Sequence, residues 1–129
     1  MVISRSGSDT YVTRVTNGID EIYSDTSEDK GGSGKHFRPH ELLEAGYASC
    51  LNITTRMVLD SMSLSYGAVT VNVKLDRSDP AKSVFKYQIE IEGLLDEEIK
   101  RTVLKKVANC PVKRTLSKQL EFMDETNIV

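Results

Sequence analysis

The sequence predicts an α+β fold with helices on one face of a mainly antiparallel sheet. Three observations carry this: a hairpin signature near the N-terminus, one long helical run without a breaker, and two alternating strands followed by shorter helices. The elements succeed one another without an internal repeat. The 129 residues are expected to form a single domain, 1–129, because one core usually serves roughly 100 to 200 residues.

The first signal is "DTYVTRVTNGIDEIYSD", which places alternating apolar residues on both sides of Asn17-Gly18. That pair is favoured in type I′ turns, where both central residues need positive φ, so strands are expected near 9–16 and 19–25. The polar, glycine-rich "TSEDKGGSGKHF" that follows reads as a flexible loop. It is no phosphate loop: Asp29 stands where GxxxxGK[ST] requires its first glycine, and His36 where that motif has a hydroxyl. Pro39 suits a first helical turn, and the run after it continues to about Ser63. In "AVTVNVKLDR" the residues Val69, Val71, Val73 and Leu75 share one face; in "VFKYQIEIEG" Phe85, Tyr87, Ile89 and Ile91 do. These two strands should pair antiparallel. Asp96 can cap a second helix with Ile99, Val103 and Val107 on its buried stripe, and "NCP" at 109–111 ends or kinks it. "PVKRTLSKQ" reads as a short third helix and "LEFMDE" as a last strand.

Composition narrows the function. A net charge of −2 and a pI near 5.7 give no basis for gripping a phosphate backbone, so nucleic-acid binding is disfavoured. No apolar run is long enough to span a bilayer, and "MVISRSGSDT" lacks the apolar core of a signal peptide. The expectation is a cytoplasmic protein whose cysteines are not structural disulfides. The two histidines and two cysteines (His36, His40, Cys50, Cys110) lack the paired short spacings of zinc modules, so no metal and no other cofactor is expected. A cysteine protease would have only His36 and His40 as bases, from a loop and a helix start.

The cysteines are therefore the centre of interest. Helical geometry places Leu43, Cys50 and Met57 nearly in line, with Gly46 and Ile53 beside them, so this stripe is expected to face inward. Free cysteines on apolar stripes are commonly small core hydrophobes. Gly46 weighs the other way, because glycine inside a helix costs about 0.5–1 kcal/mol and clears bulk for a partner helix or a ligand. Reactivity would further require a cation or a donor that favours thiolate. Cys110 has a local one: with Pro111 opening a helical segment, its sulfur would sit at that segment's positive end.

"RPHELLEAGYASCLNITTRMVL" and, 60 positions after Cys50, "VANCPVKRTL" resemble the two signature helices of the OsmC/Ohr family, the osmotically inducible and organic hydroperoxide resistance proteins. The ordered pair of motifs is more specific than either alone, and the resemblance spans nearly the whole chain. It implies an OsmC-like fold, with antiparallel sheets packed on a long central helix, in an intertwined homodimer. It also implies thiol-dependent reduction of organic hydroperoxides, with Cys50 as the peroxidatic thiolate, Cys110 as the resolving thiol and an external dithiol, dihydrolipoamide or similar, as reductant. Active family members carry a glutamate directly after the helix-opening proline; here His40 stands there and Glu41 follows, about 180° of helical rotation from Cys50. The family's thiolate-holding arginine lies in the N-terminal hairpin turn, for which Arg14 and Arg38 are the candidates. The competing expectation is a non-catalytic protein that holds an apolar small molecule on the same scaffold. The homodimer is expected on bulk as well, since Leu42, Leu51, Val58 and Leu59 would remain to be covered once the Cys50 stripe is buried.

Overall fold

The computed structural model describes residues 1–93 and 96–126. Among the described residues five strands and three α-helices follow in the order β1 Ile3–Ser6, β2 Thr13–Thr16, β3 Glu21–Ser24, α1 Pro39–Ser61, β4 Val69–Asp76, β5 Val84–Ile91, α2 Glu97–Val107 and α3 Pro111–Leu116. The class is α+β, as expected. β1, β2 and β3 form an antiparallel sheet in chain order, and β4 pairs with β5 through a connection too short for anything but a hairpin.

The chain divides into two compact units, each discontinuous in sequence. The first comprises Met1–Gly46 with Val73–Lys86; the second comprises Tyr47–Asn72 with the chain from Tyr87 onward. All of the buried apolar side chains among the described residues belong to the second unit: Tyr47, Leu51 and Leu59 from α1, Ile91 from β5, Val103 and Val107 from α2, and Cys110. Val103 and Val107 are where the expected stripe put them. Asp96 caps α2 as expected, accepting the Glu98 and Ile99 amides at 2.9 and 3.0 Å.

α1 matches the expected helix closely at its start and stops two residues earlier than expected, at Ser61. A Schellman-type cap ends it: Leu64 N–H donates to the Leu59 carbonyl and Ser63 N–H to that of Asp60, each at 3.0 Å, with Ser63 at φ +54°. Its buried face is the reverse of expectation. Tyr47, Leu51, Thr55 and Leu59, four apart, are buried, whereas Leu43, Ile53 and Met57 stay 49, 45 and 65% exposed. Both faces carry apolar residues at helical spacing, so periodicity alone did not decide between them. Thr55 can join the core because its hydroxyl donates to the Leu51 carbonyl at 2.7 Å, leaving no polar group unpaired.

Four further expectations change. The N-terminal hairpin gains a strand, β1, which pairs with β2 beyond the Gly7–Val12 hydrogen bond. Its turn is not type I′, since Thr16 faces Glu21 and only Gly18 takes positive φ. Instead the Asn17 side chain accepts from the Ile19 and Asp20 amides, closing a four-residue loop. The glycine-rich segment is a folded loop. Asp25, 4% exposed, accepts from the Thr26 amide (2.7 Å), the Ser33 amide (2.8 Å) and the Ser33 hydroxyl (2.5 Å), while Phe37 O receives Asp25 N–H and Ser24 Oγ–H. Finally, "LEFMDE" forms no strand; Phe122 and Met123 are 94 and 80% exposed, with no neighbouring edge paired to them.

Candidate thiol site

The second unit brings the two cysteines together. Cys50 sits on α1, half-buried, and Cys110 is the N-cap residue of α3, 1% exposed; both are free thiols. Pro111 occupies the first turn of α3 and has no N–H, so the next amide, Val112, is available to reach outward. It donates to Cys50 Sγ at 3.4 Å. The Thr54 hydroxyl, one helical turn along α1, stands 4.0 Å from the same sulfur. Cys50 Sγ thus receives a backbone donor from the start of α3.

Cys110 behaves contrary to the expectation of local activation. Burial pushes its thiol up, and the adjacent Cys50 adds to the rise; the α3 amides of Lys113 and Val112 pull the other way without prevailing. The helix start favours thiolate, but withdrawal from water disfavours it more. The result is a buried group that stays protonated beside a partly exposed one.

Sequence reasoning missed three participants. The Val112 amide emerges only when α3 is folded against the α1 sulfur, whereas Thr54, four residues from Cys50 on the same helix, was marked by its spacing. Tyr47, 4% exposed, lies edge-on to Tyr87 with ring centroids 5.8 Å apart, and burial, with Tyr87 and both thiols nearby, pushes its phenol up to about 12. Its spacing of three from Cys50 was the available signal, but "GYAS" reads first as a clearing of bulk.

The other expected site residues lie in the first unit. Arg14 Nε is 3.2 Å from Glu21 Oε2, on the β2–β3 face. Arg38 Nε is 2.8 Å from Glu41 Oε1, and the same oxygen accepts the Arg38 amide at 3.0 Å, so Glu41 closes the first turn of α1. Glu41 holds the Arg38 guanidinium up, and Arg38 holds the Glu41 carboxyl down. His40 is exposed beside them. Each arginine therefore already has a carboxylate partner. Among the described residues no cluster of three or more metal-ligating side chains occurs, and no helix is long and apolar enough to cross a membrane.

With this geometry in view, the chain was compared with known proteins. Residues 32–123 match the family model described as OsmC-like protein. An OsmC-like protein from Mycoplasma pneumoniae superposes with a TM-score of 0.75 at 18% identity, over 90% of this chain and 85% of that one. The organic hydroperoxide resistance protein OsmC from Legionella pneumophila gives 0.63 at 23% identity, covering 91 and 88%. The organic hydroperoxide resistance protein OhrB of Bacillus subtilis gives 0.58 at 19%, covering 91 and 89%. At such identities the likeness is one of fold. No curated protein sequence matches the chain.

Proposed function

Because the chain belongs to the OsmC-like family, we propose that it reduces organic hydroperoxides with the thiols of Cys50 and Cys110. One observation carries the reading: two cysteines 60 residues apart meet with opposite surroundings, one partly exposed and receiving an amide, the other buried and held as thiol. That asymmetry fits a division into attacking and resolving sulfur. The Cys50 thiolate attacks the terminal peroxide oxygen, the O–O bond breaks, and the alkoxide takes a proton to leave as ROH, giving a Cys50 sulfenic acid. Cys110 then attacks that sulfur; water departs, and a disulfide joins the two. An external dithiol of dihydrolipoamide type supplies two electrons and restores both thiols. A reducing, cytoplasmic setting suits such a cycle.

In this reading Arg14, Arg38, His40 and Glu41 are the candidates for tuning the thiolate, with His40 at the position where active relatives carry glutamate. The carboxylate partners of the two arginines favour the second reading, a non-catalytic binder of apolar small molecules on the same scaffold. Turnover decides between them. Cumene hydroperoxide should be consumed with dihydrolipoamide as reductant; Cys50→Ser should abolish this, and Cys110→Ser should leave about one equivalent of reduction and a trappable sulfenic acid. Equal rates for wild type and Cys50→Ser would remove the peroxidase, and slow alkylation of Cys50 until pH passes the ordinary thiol range of ~8.5 would then support the binder.

We also propose that the functional form is a single domain assembled as an intertwined homodimer. The first unit has no fully buried apolar side chain among those described, and its three short strands lie largely exposed. A sheet of that kind needs cover to be stable, and a second copy supplies it.

A further inference from the structure

We propose that the first unit carries a binding site for a small organic phosphate, in a cleft of about 310 Å³ where Lys30, Arg38, His40, Lys74 and Arg77 converge. Such a volume suits a small metabolite. The cations arrive from separate segments: Lys30 from the 3-10 turn Glu28–Lys30, Arg38 and His40 from around the start of α1, Lys74 from β4 and Arg77 from the residue after it. Unrelated segments seldom bring like charges together without something to bridge them. Two carboxylates line the same cleft, and both are engaged. Glu41 holds Arg38, and Glu44 accepts the Leu75 amide at 2.7 Å. Lys30, Lys74 and Arg77 form no ion pair among the described residues, although Asp29, held down first by the Ser27 hydroxyl, is also held down by the charges of Lys30 and Arg38.

The three cations without an ion pair, Lys30, Lys74 and Arg77, leave the cleft with a surplus of positive charge over its two engaged carboxylates, which suits a dianionic phosphoryl group better than a single carboxylate. Leu75 adds an apolar contact for the carbon skeleton that bears the phosphate. This inference stands apart from the peroxidase reading, although Arg38, His40 and Glu41 line the cleft, so the variants below avoid them.

The test is titration of the full chain, in its assembled state, with inorganic phosphate, glycerol 3-phosphate and succinate, following the amide resonances of Thr26, Ser27, Lys74 and Arg77. The expected result is saturable binding of both phosphates with glycerol 3-phosphate the tighter, weakened at least about tenfold in Lys74→Glu/Arg77→Glu and unchanged in Lys118→Glu. A second variant, Lys74→Gln/Arg77→Gln, serves if charge reversal disturbs folding, and should weaken binding in the same direction. Three outcomes would overturn the assignment: no saturation at millimolar phosphate, equal shifts produced by chloride, or binding undiminished in the folded double variant. Succinate binding as tightly as glycerol 3-phosphate would overturn its phosphate selectivity.

Discussion

A methyl group at Gly32 would overlap the Thr26 carbonyl oxygen and crowd Oδ1 of the buried Asp25. The neighbours are backbone and a carboxylate fixed by three hydrogen bonds, so they cannot yield by a rotamer change. Gly32→Ala should destabilise the protein by roughly 1–3 kcal/mol, measurable as a lower urea midpoint, whereas Ala at Gly46, where an added Cβ meets nothing, should not destabilise it. Tyr47 gives a prediction in pH. Its folded-state pKa of about 12 exceeds the ordinary 10, so the unfolded chain releases the proton first. The stabilising contribution is whole below pH ~10 and declines as pH rises towards ~12. Tyr47→Phe should remove that part of the alkaline loss, and parallel curves for variant and wild type in urea unfolding between those limits would refute it. Both features were hidden in the sequence for one physical reason: close approach and desolvation belong to folded neighbours. The cysteines were legible because their two local contexts, a small-residue helix turn and a proline-opened one, are written in adjacent residues.

At the scale of elements, α1 shows how a chain ends a helix with an imperfect residue. Ser63 takes the left-handed conformation at the position where glycine is preferred, which costs an L-residue roughly 1–2 kcal/mol. Ser63→Gly relieves that strain while adding freedom to the unfolded chain, so a net gain of about 0.5–1 kcal/mol is expected in thermal or urea unfolding; a loss would show that the Ser63 side chain matters more than its backbone. Helix α1 was legible in the sequence because Pro39 opens it and no breaker interrupts it. Its inner face was not, because Leu43, Ile53 and Met57 compete on equal terms with Tyr47, Leu51 and Leu59 until the neighbours of each are known. The β4–β5 pair was legible from strict alternation, and half-buried Val69, Val71 and Val73 alternate with exposed neighbours as expected. β1 was missed since "ISRS" has a single apolar residue; its pairing comes from the partner strand rather than from its own pattern. The final segment failed in the opposite way, with an alternation in "LEFMDE" that finds no edge within this chain.

For the whole molecule, the distribution of exposed apolar surface argues for assembly. Leu43, Ile53 and Met57 lie along one face of α1 at spacings of ten and four, with Gly46 between them open to contact. A face of that kind can meet a second helix at close range, and glycine is where two backbones approach. Leu120, Phe122 and Met123 add exposed apolar area beyond α3. The proposed homodimer would therefore rest on the face opposite to the one that bulk arguments selected. Gly46→Leu should leave the chain's own packing untouched, since nothing lies within 4 Å of a Cβ there, and should block only self-association. Sedimentation at low micromolar concentration is expected to give twice the 14.4 kDa chain mass for the wild type. For Gly46→Leu, and separately for Met57→Glu, it should give a smaller species that retains the helical circular dichroism of α1. A wild type that sediments as a stable, folded monomer would refute the dimer. A Gly46→Leu protein that remains dimeric, together with a dimeric Met57→Glu, would instead refute the interface, because then the exposed face of α1 could not be the surface that joins the copies.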